Sequence, residues 1–149
     1  MSGPDRAAPA DPGIDDAIVA RMDARLDVYR ILGLKEGEAH VIRNAGGVIT
    51  DDEVRSLAIS QRLLGTTEII LIHHTDCGTL TFTDDQFERA IQDEVGVGPA
   101  WSAEAFPDLD EDVRQSIRRI ENSPFLTKTT SLRGFVFDIA TGKLIEVVS

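Results

Sequence analysis

The sequence has a single cysteine, Cys77, among 149 residues. No disulfide can form within the chain, and a metal site built from it alone holds at most one thiolate. Basic residues are also scarce, with 15 Lys and Arg against 26 Asp and Glu and a formal net charge of −11. A phosphate backbone or an anionic lipid surface is bound by clustered cations, so this composition points away from nucleic acid and membrane as partners. No apolar run reaches the ~20 residues of a membrane span. The opening MSGPDRAAPADPGIDD has neither the basic start nor the apolar centre of a signal peptide, and a cytoplasmic protein is expected.

What is present is one ordinary core: 42% hydrophobic residues in a chain of this length predict a single domain. Residues 1 to about 14 are rich in Pro, Ala, Gly and Asp without an apolar period and read as a flexible tail, leaving 15–149 as the domain. Strand and helix patterns then alternate. A short strand at 16–20 precedes a helix at 25–34 that turns Leu26 and Tyr29 toward the sheet, and a second strand covers 39–44. Thr50 or Asp51 caps a helix that runs to Leu64 and stops at Gly65. TEIILIHH (67–74) is a continuous β-branched run, as in a parallel sheet covered on both faces. Helices at 82–96, capped by Thr83, and at 109–125, ended by Pro124, precede a terminal hairpin around ATG. The fold class is therefore α/β: a central, mostly parallel sheet flanked by helices, with a C-terminal strand pair. In such folds ligands sit at the carboxyl ends of the strands. Three of those ends carry chemistry: Arg21-Met-Asp23-Ala-Arg25, Arg43-Asn-Ala-Gly46-Gly47 and His74-Thr-Asp-Cys77-Gly78.

His74 and Cys77 form an H-x-x-C pair, whose spacing lets an imidazole and a thiolate converge on one zinc ion across a tight loop. On its own the pair is more often packing than ligation. From about Ala17 onward, however, the sequence resembles the β-carbonic anhydrases, with three motifs in family order: x-x-D-x-R at 21–25, RNAGG at 43–47 and HHTDCG at 73–78. The resemblance implies carbon dioxide and bicarbonate as the small-molecule substrates and a homodimer or dimer of dimers as the assembly. It implies zinc as cofactor, held by the first residue of a C-x-D-x-R motif together with His74 and Cys77. It also implies catalytic roles for Asp23 and Arg25, the pair that orients the attacking oxygen and leaves a coordination position open. The first position of that motif is here Arg21, so the family's first zinc ligand is replaced by a cation.

Three readings of Arg21 follow. In the first, zinc is kept by His74, Cys77 and Asp23. A guanidinium ~4 Å from a dication then costs about 8 kcal/mol at an effective dielectric of ~20. In the second, Arg21 sets its guanidinium near the vacated zinc position, beside Asp23 and the Cys77 thiolate. With backbone N–H groups of Gly46, Gly47 and Gly78 it would form a pocket for a small anion such as bicarbonate. In the third, the site has decayed. His73 is expected to pack or hydrogen-bond and not to bind metal, because adjacent strand residues face opposite sides of a sheet. Trp101 and Tyr29 read as packing aromatics, and Asp51-Asp52 and Asp84-Asp85 as helix-start acids that favour the dipole.

Overall fold

The computed structural model describes residues 14–75, 82–104 and 108–148. Five strands form one sheet: β1 (Asp16–Arg21), β2 (Ala39–Asn44), β3 (Glu68–His74), β4 (Ser131–Asp138) and β5 (Lys143–Val147), in the order β2-β1-β3-β4-β5. The first four run parallel, and β5 closes back antiparallel on β4 as the expected hairpin. The helices are α1 (Val28–Leu32), α2 (Asp51–Leu64), α3 (Asp84–Val95) and α4 (Leu109–Glu121). Sequence-neighbouring strands β1, β2 and β3 end side by side, which gathers all three motif-bearing loops at one edge.

Strand alternation divides the core into two layers. Ala17, Val19, Ile69 and Leu71 pack with Leu57 of α2 and Val113 and Ile117 of α4. Ile18, Ala20 and Ile72 face the other way, onto Leu26, Val28 and the α1 side. Continuing the same alternation, Arg21 and His73 belong to the α4 layer and His74 to the α1 layer. This parity governs the chemistry below.

Local signals set the helix limits. Thr50 and Thr83 head α2 and α3 through capping boxes with Glu53 and Gln86, and Gly65 ends α2 in the left-handed conformation at φ 80°. Two helices are shorter than their apolar patterns suggest. In α1 the first turn is lost because the Arg25 backbone N–H donates to the Asp23 carboxylate, a local turn that competes with the helix, so Asp27 becomes the cap. In α4 the helix closes at Asn122, since Ser123 precedes Pro124 and a residue before proline is pushed out of the helical region. The ordered chain also reaches slightly further than expected at the front. Ile14, assigned to the tail, is buried in the fold, while residues 1–13 lie outside the described residues.

Helix α4 comes close to the sheet at Gly134 in β4. A Cβ there would stand 2.4 Å from Cγ1 of Val113 and 3.1 Å from Cδ1 of Ile117. Gly134→Ala is therefore expected to push α4 off the sheet and to cost about 1–3 kcal/mol in urea unfolding. An unchanged midpoint would show that α4 lifts without loss.

Candidate active site

The edge formed by the ends of β1, β2 and β3 is built around Asp23. Its carboxylate takes two bonds from the Arg25 side chain, Nε to Oδ1 at 3.0 Å and Nη2 to Oδ2 at 2.8 Å, and one from the Arg25 backbone N–H. These contacts, the Arg25 side-chain bonds foremost, hold the Asp23 carboxyl well below the usual carboxylate range. Arg43 on β2 donates to the Asp23 carbonyl oxygen at 2.8 Å, tying the two strand ends together.

His74 closes the same cluster from β3. Its Nδ1–H donates to the Thr75 carbonyl at 2.7 Å, which fixes the tautomer and leaves Nε2 as the lone-pair nitrogen. That Nε2 is buried, has no hydrogen-bond partner among the described residues, and lies 3.7 Å from Asp23 Oδ2. Burial first, then the charges of Arg21 and Arg25, lower the pKa of the ring against the opposing pull of Thr75 and Asp23. The neutral ring is the form that ligates metal.

The neighbouring His73 faces the other layer, as its strand position predicts. Its Nε2–H donates to the Gly47 carbonyl at 3.1 Å, and its Nδ1 accepts from Arg21 Nη2 at 3.1 Å. Arg21 turns toward α4, where the same Nη2 donates to Asp112 Oδ2 at 2.9 Å. All three side chains are buried, Arg21 to 1% exposure. Gly47 makes this possible: at φ +65°, an added Cβ would meet Arg21 Cγ at 3.0 Å and His73 Cδ2 at 3.1 Å. The carboxylate partner of Arg21 is thus Asp112, not Asp23 as the sequence suggested. A guanidinium so deeply buried also does not present its charge to a dissolved anion. Of the other expected anion donors, Gly46 and Gly47 are buried in the turn after β2. Cys77 and Gly78 lie outside the described residues.

Asp112 is the residue that sequence reasoning missed. It stands among the acids Asp110, Glu111 and Asp112 in the first turn of α4. A signal was there: Leu109, Val113, Ser116, Ile117 and Ile120 mark the inward stripe, and position 112 falls on it.

Residues 17–144 match the family model for carbonic anhydrase. The chain belongs to the carbonic anhydrase family. It is 76% identical over 139 residues to beta-carbonic anhydrase 1 of Mycobacterium tuberculosis, covering 93% of this chain and 85% of that protein. The carbonic anhydrase of Streptococcus mutans superposes with a TM-score of 0.86 at 42% identity, over 93% of this chain and 84% of the other. A carbon disulfide hydrolase of Acidithiobacillus thiooxidans is 32% identical over 85% of this chain and 74% of its own length. The sheet order and the antiparallel C-terminal strand are those of the β-carbonic anhydrase structures.

β-Carbonic anhydrases are zinc enzymes, and the site can be tested for that ion. His74 fits: a buried, oriented, unpartnered nitrogen is what a metal-ligating histidine offers. Asp23 is a second donor within reach, already engaged by Arg25. No group of three or more His, Cys, Asp or Glu donors converges among the described residues.

The Arg21–His73–Asp112 network makes a pH prediction. Burial and the Arg21 charge push His73 down to about 3, from an unfolded value near 6.5. The unfolded state therefore binds a proton there that the native state refuses, and this contribution to stability is complete above pH 6.5 and shrinks as pH falls. Burial raises Asp112 to about 6 against the opposing pull of Arg21, so its contribution is greatest below about pH 4 and declines as pH rises toward 6. The two slopes oppose each other between about pH 4 and 6. His73→Gln keeps an amide donor for Gly47 and an acceptor for Arg21 but removes one slope. Its stability relative to the parent should decline as pH rises from about 4 to 6.5 in urea titrations. Parallel curves would show that His73 carries no such shift.

Proposed function

We propose that this chain is a β-carbonic-anhydrase-type protein for the carbon dioxide/bicarbonate pair, in which the zinc centre is incomplete and hydration is impaired. One observation carries this reading. Arg21, at the position that aligns with the family's first thiolate, is buried in the α4 layer and bonded to Asp112 and His73, so the end of β1 offers no donor toward His74. In this reading His74 and Cys77 remain as ligands. Zinc, when bound, would supply a Lewis acid and an ionisable water at neutral pH. The chain's own part is otherwise intact: Arg25 holds Asp23 ionised and aimed beside His74 Nε2, ready to accept a hydrogen bond from the attacking oxygen. A homodimer or dimer of dimers in the cytoplasm is the assembly and location we infer with it.

A second reading, an active zinc enzyme using His74, Cys77 and Asp23, is favoured by the unpartnered Nε2 and its 3.7 Å distance to Asp23 Oδ2. Against it, a bond from Asp23 to a metal would compete with the two-point contact from Arg25.

Elemental analysis of protein purified without added metal should give well under one zinc per chain, and stopped-flow indicator assays should show slow hydration. Arg21→Cys is expected to raise both zinc content and rate. Because that change leaves the buried Asp112 carboxylate without its cation, the same assays on Arg21→Cys with Asp112→Asn keep the fold from obscuring the result. Stoichiometric zinc and fast hydration in the parent would establish the second reading instead.

A further inference from the structure

Arg21 is the last residue of β1, with the α4 layer on one side of the sheet and the Asp23–His74 cluster just beyond the strand end. A side chain of that length could turn its guanidinium either way. Toward α4 it meets Asp112; toward the strand ends it would meet Asp23, two residues on. The choice matters because a cation beside His74 Nε2 opposes any metal bound there, through the repulsion of like charges at short range.

We propose that Asp112 is a positioning residue for this site: from the α4 layer it anchors the Arg21 guanidinium and so keeps a second cation, besides Arg25, from joining the His74 and Asp23 donors. The inference rests on reading that cluster as the remnant of a metal centre. Three features support it. The anchor is a carboxylate bond of 2.9 Å between two groups that are each almost wholly buried, so neither has bulk water as an alternative partner. His73 backs the anchor geometrically. Its Nε2 is held by Gly47, which aims Nδ1 at the same Arg21 nitrogen and places it 3.3 Å from the same Asp112 oxygen. Gly47 itself leaves just enough space for the Arg21 stem to turn this way. On the other side, Asp23 is the carboxylate a released guanidinium would reach, and it already binds one guanidinium in the fork geometry that arginine prefers.

The test removes the anchor charge while keeping its shape. Asp112→Asn is made in the parent and in an Arg21→Met background, and each protein is crystallised and titrated with cobalt(II), followed by its visible absorption. In the parent background the substitution should move the guanidinium out of the α4 layer to Asp23 and weaken cobalt binding by at least about tenfold. In the Arg21→Met background it should leave cobalt binding unchanged, since no cation remains to be held. A guanidinium still in the α4 layer after Asp112→Asn overturns the proposal. So does an equal loss of cobalt affinity in both backgrounds, which would mean that Asp112 acts through the fold. If Asp112→Asn alone does not fold, the comparison is made between the parent and Arg21→Met. Freed of the cation, Arg21→Met should bind cobalt no more than about twofold tighter than the anchored parent; a gain above about tenfold would show that Asp112 does not keep the charge away. If the parent takes up no cobalt, the reading of the cluster as a metal centre fails, and the crystallographic arm still decides the anchor.

Discussion

One buried ion pair, Arg21 with Asp112, sets the α4 side of the carboxyl edge of this sheet. A guanidinium removed from water without a partner is among the most costly groups a core can hold, and breaking a buried pair typically costs about 3–5 kcal/mol. Once a strand placed arginine at residue 21, some carboxylate had to meet it. The fold uses the one on α4, and Asp23 is left to Arg25 and His74. The site can be read as two adjacent polar clusters, each with its own arginine, aspartate and histidine, separated by the pleat of the sheet.

That separation follows from the two-residue period of a strand. His73 and His74 are neighbours in sequence and opposites in role. One is saturated, with both ring nitrogens hydrogen-bonded inside the α4 layer; the other is held by Thr75 through Nδ1 and keeps Nε2 without a hydrogen bond. A structural histidine spends both nitrogens on its surroundings, and a ligand histidine spends one. By that criterion His74 has the form of a ligand.

Much of this was legible in the residues. The continuous apolar run of β3 gave a parallel sheet, Thr50 and Gly65 gave the limits of α2, and the three strand-end motifs gave the family. The opposed faces of His73 and His74 followed from alternation alone. The direction of Arg21 did not. Its length reaches past the range over which backbone position dictates contacts, and its partner lies 91 residues away on a helix whose first-turn acids share one helix-dipole explanation. Trp101, read as a packing aromatic, is 59% exposed and meets the edge of Phe87. α3, which leads toward it, buries none of its residues in this chain, so an amphipathic pattern there said nothing about which surface would receive it. Helix limits failed where a side chain intervened, as at Asp23, which takes the Arg25 N–H that a helix would have used.

The Asp23–Arg25 pair explains why the edge keeps its shape whatever becomes of the metal. Arg25 donates to Asp23 from its backbone and from both sides of its guanidinium fork, and Arg43 holds the Asp23 carbonyl from β2. None of these bonds passes through residue 21 or depends on an ion. The loop after β1 is therefore set by its own sequence, D-A-R, and by the neighbouring strand. What residue 21 bonds to and how Asp23 is presented beside His74 rest on different contacts. Residues 21 and 23 lie two apart at one strand end, yet they are held by separate sets of bonds, Arg21 by Asp112 and His73 and Asp23 by Arg25, so the loop that carries Asp23 keeps its shape independently of residue 21.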